Sequence, residues 1–206
     1  SLWTRRPVMQ EILLRLPVSI ELGIFAMAFS LIVAIPIGVL SAIRQDRLMD
    51  YIFRSLAIAA LAVPGFWLAT LILVFPSIWF QWAPPLRFRP FDISDPWRNI
   101  SQFITPALIM GLALAASVMR MTRSMMLEVL RQDYVRTAWA KGLRERGVIF
   151  RHAMKNAMIP VVTILGLQAA QLISGTVVME SIFALPGMGR FLIDAIIWRD
   201  YPVIQG

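Results

Sequence analysis

Apolar residues are gathered into four long runs that contain no charged side chain. The runs cover residues 22–43, 55–86, 99–119 and 156–179. About 20 apolar residues in a helix are enough to cross the hydrocarbon core of a bilayer. The pattern therefore predicts an all-α, polytopic membrane protein with four spans, at about residues 18–43, 55–80, 103–126 and 157–180.

Capping residues, prolines and glycines predict where these helices begin and break. Pro17 and Ser19 are expected to open the first span, and Pro64 with Gly65 to break the second. Thr105 followed by Pro106 predicts the start of the third, because threonine is a good N-cap and proline fits the first helical turn. The fourth span is followed by a turn at 185–189 and a short amphipathic stretch at 191–198. The connections at 81–102 and 181–203 become loops on one side of the membrane.

Composition agrees with a membrane protein and argues against disulfides and metal sites. The chain is 58% hydrophobic and only 16% charged, with a mean hydropathy of +0.69. It has no cysteine, which excludes disulfides and thiolate metal ligands, and its one histidine lies in a basic segment, so we expect no metal site. The chain opens on Ser1 rather than methionine. We therefore expect that it lacks flanking residues of a longer protein.

The charged residues divide unequally between the two sides of the predicted membrane. The connections at 44–54 and 120–155 carry twelve basic and five acidic residues, a net of +7, whereas the other side nets +1. Basic residues favour the cytoplasmic side of short loops. These two connections are therefore predicted to be cytosolic. The net charge of +8 is then mainly an orientation signal, and nothing in it calls for nucleic acid.

The segment 128–156 is the longest predicted cytosolic connection, and its sequence indicates ordered structure. Asp133 can cap a short helix and Gly142 can end it in a left-handed conformation, with Lys141 in the last turn. Val135 and Trp139 fall on one face at i and i+4, with Ala138 beside them, and a second helix is expected over 143–158. On physical grounds alone, an ordinary packed surface loop and a functional projection both remain open.

Resemblance favours the functional projection. The runs DYVRTAWAKGL at 133–143 and RHAMKNAMIP at 151–160 resemble the "EAA" loop of ATP-binding-cassette (ABC) importer permeases, in the dipeptide, oligopeptide and nickel branch. LPVSIELG at 16–23, ESIFALPGMGR at 180–190 and RDYP at 199–202 agree with that branch, so the resemblance runs along the whole chain. One departure is Arg-Thr-Ala at 136–138, where the general importer pattern has Glu-Ala-Ala.

The resemblance implies a type I ABC importer permease fold in the bacterial or archaeal inner membrane, with the family's first and last spans missing from this chain. It implies a second permease subunit, two cytosolic ABC ATPase subunits and an extracytoplasmic solute-binding protein as partners. ATP is then bound by the ATPase, and this chain has no GxxxxGK[ST] sequence of its own. The residues implied to couple the permease to the ATPase are Tyr134, Arg136, Thr137, Ala138, Lys141 and Gly142.

Polar residues in the fourth span are candidates for lining the solute pathway. Gln168, Gln171 and Ser174 recur at three-residue spacing, and polar groups within spans usually face the bundle or a water path. Plain hydrogen bonding between helices is the alternative for these three. Glu180 is expected near the outer surface, either at a gate or simply reaching water.

Two other functions fit the sequence less well. A membrane-embedded enzyme would need a nucleophile and base, paired aspartates within spans, or a metal cluster, and a channel would need charged rings or a filter. None of these patterns is evident in the four predicted spans. Peptides are the expected solute class for the branch, with nickel complexes, glutathione and oligosaccharides left open.

Overall fold

The computed structural model describes residues 7–82, 88, 90 and 95–205, apart from the side chain of Ile173. Within these residues all regular structure is helical, which confirms the all-α prediction. The helices are α1 (Val8–Ile43), α2 (Leu48–Ala62), α3 (Gly65–Phe80), α4 (Pro96–Leu130), α5 (Asp133–Ala140), α6 (Glu145–Gly147), a π-helix (Val148–Ala153), α7 (Met154–Ile182), α8 (Met188–Ile197) and α9 (Tyr201–Gln205).

Within the described part of the chain, three helical segments are long and apolar enough to cross a membrane: Val8–Ile43, Pro96–Leu130 and Glu145–Leu172. A fourth span results if α2 and α3 are counted together, with the predicted break at Pro64 between them. Which residues of these helices lie in the membrane stays a prediction. Part of the predicted outer loop 81–102 lies outside the described residues, namely 83–87, 89 and 91–94. Residues 1–6 and 206, at the two ends of the chain, also lie outside them.

The predicted start of the first helix at Pro17 and Ser19 is wrong. The helix begins at Val8, where the carbonyl of Pro7 accepts the N–H groups of Gln10 and Glu11 at 3.1 and 3.3 Å. The helix continues through Pro17, which deprives one carbonyl of its partner but is tolerated where neighbouring groups compensate. Residues 8–16 therefore belong to this helix.

The predicted start of the third span at Thr105 and Pro106 is also wrong. Helix α4 begins at Pro96, and the Asp95 carboxylate accepts the N–H of Arg98 at 3.3 Å, as an N-cap does for the third residue of a helix. Pro106 lies inside the helix. The cap-then-proline signature occurs twice, and the earlier copy is the one that starts the helix.

The chain divides into two compact units, and the three longest helices contribute residues to both. The first unit comprises Ser1–Met27, Val63–Gly111 and Ala169–Gly206, and the second Ala28–Ala62 and Leu112–Gln168. Phe103, fully buried, meets Phe25 in the first unit with ring centroids 5.9 Å apart. The second unit is built on small residues and methionines of α1, α2, α4 and α7: Ala34, Ala57, Ala115, Ala116, Val118, Met119 and Val161.

In the first unit, helix α8 is capped by side chains from two other helices. Its own N-cap residue, Gly187, has no side chain to offer. Instead, the Glu180 carboxylate accepts the Arg190 N–H at 3.0 Å, and the Ser19 hydroxyl oxygen accepts the Met188 N–H at 2.8 Å. Ser19 in turn donates to Glu180 at 2.6 Å. Ser19 on α1 and Glu180 on α7 thus join three helices. The predicted loop 181–203 contains α8 and the beginning of α9.

Close approach at this cap requires glycine at two positions. A Cβ atom at Gly187 would lie 2.2 Å from Cδ of Glu180, and one at Gly189 would lie 2.4 Å from Cα of Val177. The Gly-Met-Gly spacing therefore allows α8 to approach α7. The Glu180 side chain is itself fully buried, so the expectation that it reaches water is wrong for this structure.

Replacing Gly187 by alanine should destabilise the permease, because the added methyl overlaps Glu180 and displaces the cap. Overpacking of this kind costs roughly 1–3 kcal/mol. A lower thermal midpoint of the detergent-purified protein, followed by tryptophan fluorescence, is the expected result. Gly166→Ala is the matched control, because a Cβ there meets nothing within 4 Å. Equal midpoints for the two variants would show that the close approach does not matter.

Candidate functional site: the segment between α4 and α7

Helix α5 ends as the sequence predicts. Gly142 has a φ of +73°, a left-handed conformation that favours glycine. Its N–H donates to the carbonyl of Trp139 at 2.9 Å, and the N–H of Leu143 donates to the carbonyl of Ala138 at 3.4 Å. These two bonds form a Schellman motif, which satisfies the last carbonyls of the helix. The exit from α5 is therefore tight and fixed in direction.

The beginning of α5 differs from the prediction. The cap position is held by Gln132, whose side chain makes no capping bond, and Asp133 is the first helical residue. Asp133 is therefore not the N-cap. Its carboxylate lies in the first turn, where a negative charge interacts favourably with the helix dipole. Its Oδ1 atom lies 3.6 Å from Nη1 of the exposed Arg136.

A cluster of apolar side chains, which we call the seat of α5, holds this helix in place. Val135 is fully buried and Ala138 is 4% exposed, and both pack with Val148 of the π-helix. Val129 and Leu130, at the end of α4, pack against the same cluster. Because the buried pair is 135 and 138, Trp139 turns outward and is 44% exposed, so the predicted shared face of Val135 and Trp139 is wrong. Ala138 lies on the buried face of α5 and does not face outward.

The outer face of α5 carries most of the predicted coupling residues. Tyr134 is 39% exposed, and Arg136, Thr137 and Lys141 are exposed as well. The Tyr134 hydroxyl accepts a hydrogen bond from Nδ2 of Asn156 at 2.7 Å. This bond ties the first turn of α5 to the beginning of α7. The structure therefore joins a fixed base to an outer face with aromatic and basic side chains.

The predicted second helix over 143–158 is not a separate element. Residues Glu145–Gly147 form one short turn, Val148–Ala153 continue as a π-helix, and Met154 leads directly into α7. A π-helical stretch is wider than an α-helix and is often found at functional sites. The base of α5 is therefore built directly on the start of a predicted membrane span.

The second unit also contains a buried ion pair that the sequence did not indicate. Asp50 on α2 is fully buried, and both its oxygens accept from the Arg123 guanidinium on α4, each at 2.7 Å. The Ser41 hydroxyl and the Asp46 N–H, at 3.0 Å, also donate to this carboxylate. We call Ser41, Asp50 and Arg123 the Asp50 cluster. In sequence, Asp50 and Arg123 look like two ordinary charges flanking apolar runs, and their 73-residue separation hides the pair.

The predicted pathway residues do not share one environment. Gln168 is buried, whereas Gln171 and Ser174 are exposed. Ser174 borders a cavity of about 730 Å³ in the first unit, whose lining is mostly apolar. That lining offers a polar solute few hydrogen-bonding groups. A pathway role for these three residues and for Glu180 stays a prediction.

Comparison with known proteins identifies the family. Residues 34–206 match the model for the binding-protein-dependent transport system inner membrane component. The chain is 40% identical to the dipeptide transport system permease protein DppB of Alkalihalophilus pseudofirmus and 39% identical to that of Escherichia coli K12, covering all of this chain and 67% of each relative. It is 44% identical to a putative peptide transport system permease protein of Brucella suis, over 98% of this chain and 64% of the relative.

The fold has a counterpart among solved structures. A chain of an amino acid ABC transporter, crystallised with histidines, superposes with a TM-score of 0.70 at 14% identity, over 95% of this chain and 84% of that one. At this identity the likeness supports the fold alone, and it confirms the ABC permease architecture. The family match and the relatives show that the chain belongs to the inner membrane components of binding-protein-dependent transport systems, the permease subunits of ABC importers.

Proposed function

We propose that this chain forms the translocation pathway of a peptide importer together with a second permease subunit, and that α5 is its contact with a cytosolic ABC ATPase. Two ATPase subunits and an extracytoplasmic solute-binding protein complete the assembly. The family match supports an assembly in which this chain works with other transporter subunits. The names of the relatives from A. pseudofirmus, E. coli and B. suis support peptides as the solute.

The observation that carries the proposal is the arrangement of α5. Its inner face is anchored by Val135 and Ala138, while Tyr134, Arg136 and Trp139 remain exposed on its outer face. Large exposed aromatic and arginine side chains are enriched in protein interfaces and among the residues that dominate binding energy. The outer face therefore suits a protein partner, and the position of α5 between two predicted spans suits transmission of movement.

The resemblance to ABC importer permeases implies the mechanism, and the anchoring of α5 fits it. ATP binding draws the two ATPase subunits together and displaces α5. Because α5 packs on the end of α4 and on the π-helix that leads into α7, its displacement moves both predicted spans. Repeated ATP binding and hydrolysis then alternate the pathway between inward-open and outward-open states, and the solute-binding protein supplies solute to the outward-open state.

Replacing Gly142 by valine should uncouple ATP hydrolysis from uptake. Valine is strongly disfavoured at a φ of +73°, so the Schellman exit is lost and α5 no longer has a fixed direction. Uptake and ATPase activity of the complete transporter in proteoliposomes measure the effect. Gly142→Asn is the matched control, because asparagine tolerates the left-handed region. We expect uptake per ATP to fall for valine and to persist for asparagine. Unchanged coupling in the valine variant would refute a coupling role for this exit.

Reversing the charge of Arg136 should weaken attachment of the ATPase. Arg136→Glu changes the outer face of α5 without touching its buried seat. We expect the ATPase that co-purifies with the permease to fall about tenfold, which corresponds to a loss of ~1.4 kcal/mol. Arg47→Glu makes the same change on the exposed turn between α1 and α2 and serves as the control. Equal losses in both variants would indicate a general charge effect instead of a contact at α5.

The solute class is tested on the cognate solute-binding protein. Titration calorimetry should detect binding of di- or oligopeptides and no binding of free nickel or oligosaccharides. Peptides share a backbone that a binding protein can recognise with fixed hydrogen bonds whatever their side chains. Binding of nickel complexes, glutathione or a sugar in place of peptides would overturn the substrate assignment and leave the permease assignment intact.

A further inference from the structure

The Asp50 cluster lies outside the proposed contact surface of α5. It lies in the same compact unit as α5 and draws on three helices: Ser41 near the end of α1, Asp50 in the first turn of α2, and Arg123 on α4. The Asp50 carboxylate accepts four hydrogen bonds and is fully buried. A buried carboxylate is costly unless it is paired and fully hydrogen-bonded. This one meets both conditions.

Continuous packing connects the Asp50 cluster to the seat of α5. One turn after Arg123, Met126 is fully buried in a core with Val39 and Ala42 of α1. Val129 and Leu130, one turn further along α4, pack against that core and also against the cluster that holds α5. The last two turns of α4 therefore contact the seat of α5 at one end and carry the ion pair at the other.

We propose that the Asp50 cluster is a positioning element that makes α2 and the end of α1 move with α5. The proposal rests on α5 being the ATPase contact. Displacement of α5 acts on the end of α4 through Val129 and Leu130. Arg123 then carries Asp50 with it, and Asp50 carries Ser41 and the turn at Asp46. Without the ion pair, the movement of α5 would reach α2 only through apolar packing such as that of Ala57, which does not fix a register.

The geometry of the pair suits this role. Arg123 binds through Nε and Nη2 to the two different oxygens of Asp50, so rotation or sliding of α2 against α4 breaks at least one bond. An apolar contact at the same place would keep helices close but would permit them to slide, because the hydrophobic effect is not directional. The pair therefore fixes a register between α2 and α4 as well as holding them together.

A distance measurement between α2 and α5 tests the proposal directly. The chain has no cysteine, so spin labels can be attached at introduced cysteines in place of Leu48 and Gln132. Both are exposed, and Gln132 is the cap residue of α5, outside the proposed contact residues. In the complete transporter, the distance distribution between the two labels should be the same with and without bound ATP. With Asp50→Asn in addition, ATP should shift the distribution, because α5 moves and α2 is left behind. A shift in the otherwise unchanged protein, or no shift with Asp50→Asn, would overturn the proposal.

Uptake per ATP hydrolysed, at equal amounts of assembled complex, gives the functional readout. Asp50→Asn should lower this ratio by about tenfold, within the range typical of coupling between sites. Simple loss of assembly would lower uptake and hydrolysis together and leave the ratio unchanged. Asp46→Asn is the matched control, because it removes an exposed acid from the same turn while its N–H continues to bind Asp50. A ratio lowered equally by the control would overturn the proposal.

Arg123→Lys covers the case in which Asp50→Asn fails to assemble. Lysine keeps the positive charge but lacks the two-pronged geometry, so the ratio should fall to a value between those of the Asp46→Asn control and the Gly142→Val variant. A ratio equal to the control would contradict a positioning role.

Stimulation of ATP hydrolysis by solute-loaded binding protein in the unchanged transporter is measured first. Its absence would refute the proposed importer function itself, whereas its presence leaves the Asp50 cluster as the only hypothesis under test.

Discussion

Polar groups inside a largely apolar molecule must find partners within the protein, and this requirement shapes both compact units. Asp50 is buried with four hydrogen-bond donors around it. Glu180 is buried where α8 begins and supplies an acceptor that Gly187 lacks. In each case one carboxylate joins three helices, and one of its partners is distant in sequence, 73 residues away for Asp50 and 161 for Glu180. The apolar faces bring the helices together, and the carboxylates determine how they are aligned.

Local signals in the sequence predicted local structure well. The Gly142 exit depends on six consecutive residues and one backbone conformation, so it could be predicted from residue types alone. The break at Pro64 is of the same kind. The two wrong helix starts share a different cause. Proline at 17 and 106 is typical of a helix start, but both prolines lie inside helices. In a bundle whose helices can satisfy each other's backbone groups, a proline is weaker evidence for a boundary than it is in a water-soluble protein.

Contacts between distant residues could not be predicted from spacing. The motifs at 16–23 and 180–190 each supported the resemblance separately, and only the structure shows that Ser19 of one and Glu180 of the other cap the same helix. The inner face of α5 is a similar case. Helical spacing allowed either Trp139 or Ala138 to point inward beside Val135, and the position of Val148 selects Ala138. The choice depends on a packing partner beyond the helix, which periodicity within α5 does not contain.

The choice of an ion pair over an apolar contact at Asp50 and Arg123 is itself informative. Well-packed hydrophobic residues of similar volume often stabilise a protein as much as a buried ion pair does, or more. Stability alone therefore gives little reason to bury a carboxylate between α1, α2 and α4. A directional contact is different, because it favours one register and penalises its neighbours, as buried polar residues do in coiled coils. A permease that must switch between two arrangements needs helices that move as blocks without sliding within a block. In the second unit, small residues such as Ala34, Ala57 and Ala115 allow close packing, and the Asp50 pair supplies the directional contact that such smooth surfaces lack.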